Sequence, residues 1–182
     1  LTSVLTNLAS EGAAQASFGY FFYDLNAKIN HEISHKDRLL FSFYMGDDRL
    51  GLSLAESIGS PGDPDYSAFD LNNTNAWGNR LAALRWNHIW SHKLFSNLTA
   101  TFTNYRLLIG TDIETEFDDG SGTGMVQSLD AALRYKSGIR EFGGKLDFDY
   151  YPNPRHDIKF GANLTNHLFT PGEASFRIDV QG

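Results

Sequence analysis

Cysteine is absent from this chain of 182 residues, so disulfides and thiolate metal sites are excluded. Nowhere do 18 apolar residues run together, so no helix of this sequence spans a membrane. Basic residues are the minority: 15 Lys and Arg stand against 22 Asp and Glu, for a net charge of −7. That balance argues against nucleic-acid binding, which needs a cationic surface. The opening LTSVLTNLASEG lacks a basic start and a long apolar stretch, so no signal peptide is read there. The expectation is that a leader has been removed or that the chain is an internal piece of something longer. None of these averages excludes a membrane, because a barrel strand is only half apolar.

What is present is period-2 alternation. Leu25, Ala27, Ile29, His31 and Ile33 interleave with Asp24, Asn26, Lys28, Asn30 and Glu32. An extended strand with that pattern has one greasy face and one polar face. Ser34-His35-Lys36-Asp37 reads as a tight turn, after which Leu39, Phe41, Phe43 and Met45 oppose Ser42, Tyr44, Gly46 and Asp48. The same plan continues in Ala82, Leu84, Trp86 and Trp90 against Ala83, Arg85 and Asn87, and in Leu98, Ala100 and Phe102 against Thr99, Thr101 and Thr103. It ends in Ile158, Phe160, Ala162 and Leu164 against Lys159, Gly161, Asn163 and Thr165.

These segments predict strands over about 18–33, 38–48 (or on to 54), 76–90, 94–109, 125–151 and 157–169. Residues 1–17 read as a loop holding at most one helical turn, and 173–182 as the start of the next loop or strand. Within 125–151 the parity slips: Leu129, Ala131, Leu133 and Tyr135 are odd, whereas Phe142, Leu146, Phe148 and Tyr150 are even. The slip predicts either a bulge, with Gly138 as its site, or a turn at 137–140 that would make seven strands of six. The bulge is the favoured reading.

Connections alternate in length: short at 34–37, long at 55–75, short at 91–93, long at 110–124 and short at 152–155. Outer-membrane barrels keep that rhythm. Aromatic residues gather where interfacial girdles would lie, with Tyr20–Tyr23 at one end and Trp86, Trp90, Tyr150 and Tyr151 near the short turns. The expected fold is all-β: an antiparallel up-and-down meander of six or seven long strands forming part of a transmembrane β-barrel. The alternative is a soluble antiparallel β-sheet, a binding or adhesion module whose apolar face packs on a second layer.

Candidate chemistry is thin. His31/His35 and His88/His92 are four apart but straddle strand ends and turns, and no zinc spacing occurs among the six histidines. The acidic run Asp112, Glu114, Glu116, Asp118 and Asp119 lacks the pattern of a calcium loop. Gly143-Gly144-Lys145 is no phosphate loop, and no nucleophile elbow surrounds the serines. No enzyme activity, metal site or cofactor is expected. Charged residues keep instead to the polar parity: Lys28, Glu32, Arg85, Lys145, Asp147, Asp149 and Lys159, with His167 beside them. Charge on a lipid face costs roughly 2–4 kcal/mol for Lys or Arg at the midplane, so this confinement is what a water-filled lumen predicts.

The segments FYDLNAKINHEISHKDRLLFSFYMGDDRLG, WGNRLAALRWNHIWSHKLFSNLTATFTNYR and SGIREFGGKLDFDYYPNPRHDIKFGANLTNHLFTPG together resemble the barrel of TonB-dependent outer-membrane receptors. The nearest likeness is to those with a carboxypeptidase-like domain ahead of the plug. The resemblance covers about 18–172. It implies a partial barrel domain over 1–182, in a 22-stranded wall filled by a plug, that imports a scarce solute with energy passed by TonB. Implied partners are membrane lipid, the remaining barrel and plug, and the TonB complex; the implied location is the outer membrane. Lys28, Glu32, Arg85, Lys145, Asp147, Asp149, Lys159 and His167 would then contact solute or plug. No plug, TonB box or closing strand lies in this chain, and no motif carries over a ligand.

Overall fold

The computed structural model describes residues 2–9, as backbone, together with 14–118 and 126–181. Seven strands follow one another: β1 (Thr2–Ala9), β2 (Gln15–Ser34), β3 (Asp37–Ile58), β4 (Ser67–Ser91), β5 (Leu94–Asp118), β6 (Val126–Asn153) and β7 (His156–Gln181). They form one sheet in sequence order, every neighbouring pair antiparallel. The fold is therefore all-β and up-and-down, as the alternation predicts.

The three tight turns share one device. Ser34 Oγ accepts the Lys36 N–H at 3.1 Å, Ser91 Oγ accepts the Lys93 N–H at 3.2 Å, and Asn153 Oδ1 accepts the Arg155 N–H at 3.0 Å. A side-chain oxygen that satisfies the backbone two residues on is how Ser and Asn close a turn. At the other end the connection 59–66 is longer. It needs Gly59 and Gly62, whose φ of 70° and 99° disfavour a Cβ. Tyr66 anchors that loop, its hydroxyl donating to Glu116 Oε2 at 2.7 Å.

Several sequence expectations need correction. Thr2–Ala9 is a strand paired with β2, not a loop or helical turn, and its backbone ladder with Gln15–Phe22 is the reason. β2 begins at Gln15. The long connections are shorter than expected, since β3 runs on to Ile58, β4 starts at Ser67 and β5 continues through the acidic run to Asp118. Residues 119–125 of that run, Asp119 included, lie outside the described residues. β7 does not stop at Pro171-Gly172 but continues to Gln181.

The parity slip has neither of its expected causes. β6 pairs with β5 without a break from Val126 to Tyr150, and Gly138 has no positive φ. No turn divides it; the seventh strand is β1. The slip exists because the apolar side of the sheet changes partway up each strand from β2 to β7. One face, the Leu84 face, carries a belt near the tight turns. A typical row across it is Ile29, Phe41, Leu84, Ala100, Gly144 and Leu164. Leu25, Ala27, Leu39, Phe43, Leu98, Phe102, Leu146, Phe148 and Phe160 lie on the same face. Higher up, the apolar residues move to the opposite, Arg85 face: Tyr20, Leu50, Ile109 and Tyr135 form one row there, and Leu54, Leu71, Ile113, Ala131 and Ile178 another.

Strand β7 makes this change by a different route. Apart from Phe169 and Pro171, its apolar residues are at even positions from Ile158 to Val180. Lys136 pairs with Glu173 and Gly138 with Thr170, so Pro171 and Gly172 together face Ser137. Two residues opposite one is a β-bulge. It turns Phe176, Ile178 and Val180 onto the Arg85 face with their neighbours.

Among the described residues no second layer covers the belt. Among the described residues Tyr66 is the only large hydrophobic side chain that is buried, while Ile29 is 60% and Leu164 79% exposed. A soluble domain of this size buries roughly 70% of its unfolded surface around a core. This sheet has none of its own.

Candidate functional site

The candidate site is the polar part of the Arg85 face, opposite the belt. Pairing places all eight sequence-predicted residues there. Lys28 sits across from Ser42, Glu32 from Arg38, Arg85 from Leu40 and Thr99, Lys145 from Thr99 and Asn163, and Asp147 from Asn97. Asp149 pairs with Lys159, and His167 with Glu141. Alternation alone puts them on one side, because residues two apart on a strand point the same way.

Four of them are tied to one another, and three more to neighbours on the same face. Lys145 Nζ lies 2.9 Å from Asp147 Oδ2, Lys159 Nζ 3.2 Å from Asp149 Oδ1, and Arg38 Nη2 3.7 Å from Glu32 Oε2. Arg85 Nε donates to Thr99 Oγ1 at 3.4 Å. His167 Nδ1 is 2.5 Å from Glu141 Oε1, and Thr103 Oγ1 donates to Glu141 Oε2 at 3.0 Å. Lys28 and Arg85 are the predicted cations without an ion pair among the described residues. These groups form a strip of solvated pairs across six strands, β2 to β7, not one converging pocket. Exposed pairs of this kind contribute only about 0–1 kcal/mol each. Their arrangement supports a wetted wall that can exchange its pairs for a solute or another protein surface.

Sequence reading missed Glu141, the hub that holds both His167 and Thr103. It also missed Asp24 and Tyr44, whose hydroxyl donates to Asp24 Oδ1 at 2.6 Å. Parity was the available signal for all three. Above them the Arg85 face turns aromatic and amide-rich. Tyr20 donates to Asp48, and Asn75 Nδ2 donates to Asn73 Oδ1 at 2.7 Å, which lies beside Thr111. Among the described residues no group of His, Asp and Glu has the geometry of a metal site.

The belt is closed below by an aromatic cluster on the Leu84 face. Trp86, His88 and Trp90 alternate along β4, with ring centroids 5.3 and 4.5 Å apart. Trp86 Nε1 donates to Asp37 Oδ1 and Trp90 Nε1 to the buried Ser96 Oγ, each at 3.0 Å. Tyr150 joins them on that face. Indoles with a bonded N–H and an apolar body suit a level where one side is greasy and the other wet. At the belt's upper margin Phe21 and Tyr23 share the Leu84 face, whereas Tyr20 and Phe22 point the other way.

No family model matches this chain, and no curated protein matches it. Among solved structures, the siderophore receptor PirA from Pseudomonas aeruginosa is 13% identical over 91% of this chain and 38% of its own, with a TM-score of 0.19. Pseudomonas aeruginosa OpdO is 9% identical over 97% of this chain and 66% of its own, with a TM-score of 0.17. The KdgM porin, solved with disordered oligogalacturonate, is 10% identical over 97% of this chain and 94% of its own, with a TM-score of 0.14. The chain thus spans about two fifths of PirA and just under two thirds of OpdO. Likenesses this faint leave the functional reading to the residues themselves.

Proposed function

We propose that this chain is part of the wall of an outer-membrane β-barrel transporter of the TonB-dependent class, which imports a scarce solute. The observation that carries the proposal is the uncovered belt. It lies on one face of a single sheet, and the charged residues at its level lie on the other. With its aromatic border the belt runs from Ala82 to Trp90 on β4 and from Phe142 to Tyr150 on β6, nine residues each, close to what a tilted strand needs to cross a hydrocarbon core. β4 to β7 are 25, 25, 28 and 26 residues long, so each also projects well beyond that depth. Tight turns at one end and longer connections at the other agree with a periplasmic and an extracellular side. The free edges of β1 and β7 would pair with further strands of the barrel, which removes unpaired ladders.

In this reading the Leu84 face meets lipid. Lys28, Glu32, Arg85, Lys145, Asp147, Asp149, Lys159 and His167 line the lumen, in contact with plug or solute. Energy would come from TonB acting on the whole receptor, and the wall itself performs no catalysis. The rival soluble module needs a second layer over Phe41, Leu84 and Phe160.

Cysteine is absent from these 182 residues, so each label introduced here reports its own position. In the full-length receptor on cells, a membrane-impermeant maleimide is expected to label K28C and K145C once the lumen is open to water. F41C and L84C are expected to stay unlabelled. Equal labelling of both sets would remove the membrane reading. Solute uptake that persists without TonB would remove the TonB-dependent part.

A further inference from the structure

A band of cations borders the belt on its own face. Four successive rows above Phe43 carry Arg80 and Arg140, then Arg106, then Arg49 and Lys136, then Arg134. These are six of the chain's 15 Lys and Arg, and the matching rows of the Arg85 face carry none. All but the half-buried Arg134 are exposed. Only two are neutralised: Arg106 by Asp47, and Arg134 by Asp112 at 2.5 Å. Arg49, Arg80, Lys136 and Arg140 form no ion pair among the described residues. Two acids lie within the band, Asp47 in the Arg106 row and Glu173 opposite Lys136; higher still the same face becomes acidic, with Asp70, Glu114, Asp130 and Asp179 in one row. In the middle of the band a depression of about 410 Å³ lies between Arg49, Arg106 and Lys136, floored by Ala76 and Leu108.

We propose that this band is a binding surface for the phosphate groups of outer-leaflet lipid head groups. The inference rests on the membrane reading above and adds the lipid chemistry and its level. A cation directly above a lipid-facing belt sits where head-group phosphates lie, and each is worth about 1 kcal/mol against an anionic surface. Guanidinium groups favour phosphate because their fork matches its oxygens. The small residue Ala76 leaves room for a head group between Arg49 and Lys136, beside the Asp47–Arg106 pair that covers Gly78. The acidic row above sets an upper limit, because phosphate there would be repelled. Basic band and apolar belt are continuous, so acyl chains below and phosphate above would be held by one face.

The test uses the full-length receptor in neutral detergent, with bisphosphorylated lipid A as probe and native mass spectrometry as readout. The wild type is expected to retain lipid A but not phosphatidylcholine. Each cation removed is expected to weaken retention about fivefold, so R49Q/K136Q and R80Q/R140Q each lose it. R80K/R140K keeps the charge and is expected to retain it, and R38Q, on the opposite face, is expected to be silent. Unchanged retention in both glutamine variants overturns the proposal, as does equal loss in the lysine variant. Displacement by excess inorganic phosphate would show a site for free anion instead of lipid, and also overturns it. A spin-labelled lipid that quenches a fluorophore at L84C separates the two levels. If quenching holds while retention is insensitive, only the head-group site fails; if quenching is absent, the membrane reading fails with it.

Discussion

Asp47 of β3 and Arg106 of β5 are ion-paired across an entire intervening strand, directly over Gly78 of β4. Asp47 also accepts the Tyr23 hydroxyl at 2.5 Å, so three strands are tied in one row at the upper edge of the belt. A Cβ at position 78 would collide with the Asp47 carboxylate and crowd Arg106 Nε at 3.0 Å. The obstructing group is a side-chain tip that can swing away. Gly78→Ala should therefore cost only about 1 kcal/mol, the worth of a part-exposed ion pair. In a D47N background the same change should cost less. Urea unfolding of the four variants in lipid gives the coupling, and strict additivity would show that Gly78 serves some other purpose.

Leu84 and Ala83 are sequence neighbours on opposite faces. Arginine at Leu84 enters the middle of the belt and should destabilise the folded barrel by roughly 2–4 kcal/mol. Arginine at Ala83 joins the polar face beside Ser42 and Thr101 and should be close to neutral. Comparing denaturant midpoints of L84R and A83R checks this; the opposite order would reverse the assignment of faces.

Deleting Gly172 should straighten β7 and leave every side chain beyond it on its present face. Pro171 would then stand alone opposite Ser137, with Glu173 still opposite Lys136 and Phe176 still opposite Leu133. The bulge holds one residue more than the partner strand, so its removal restores plain alternation without a change of register. Maleimide labelling of cysteines at 177 and 178 should therefore be the same with and without the deletion. An exchanged pattern would mean that β7 slips by one residue instead.

The loop 59–66 should open at high pH. The hydrogen bond to Glu116 raises the Tyr66 hydroxyl pKa above the ordinary tyrosine value, and burial adds to it. Its stabilising effect is thus fully present below about pH 10 and is lost as pH climbs through the raised value. Proteolysis within 59–66 should accelerate at strongly alkaline pH in the wild type and already at neutral pH in Y66F. Identical cleavage of the two at neutral pH would show that Tyr66 does not anchor the loop.

The 182 residues alone should aggregate in plain buffer and dissolve in detergent. The sheet has two free edges and an uncovered belt, and both invite association. A reversible melt of a monomer without detergent would count against a barrel wall.

Much was legible from the residues in order. Alternation around Ile29, Phe41, Leu84, Leu98 and Phe160 determined the strands and their facing. Ser34, Ser91 and Asn153 marked the tight turns. The eight lumen candidates followed from parity, because the side of an extended backbone on which a residue projects is a local property. The tertiary structure decided what depends on neighbours. Thr2–Ala9 is a strand because β2 offers it a ladder, although its own sequence reads as a loop. The slip in β6 suggested a bulge there, whereas the bulge lies in β7, whose parity never slips. Parity in one strand cannot tell a changed register from a changed environment; only the partner's position does. The same limit hid the cation band, since Arg49 and Arg140 are 91 residues apart in sequence and come to one face only through three successive pairings.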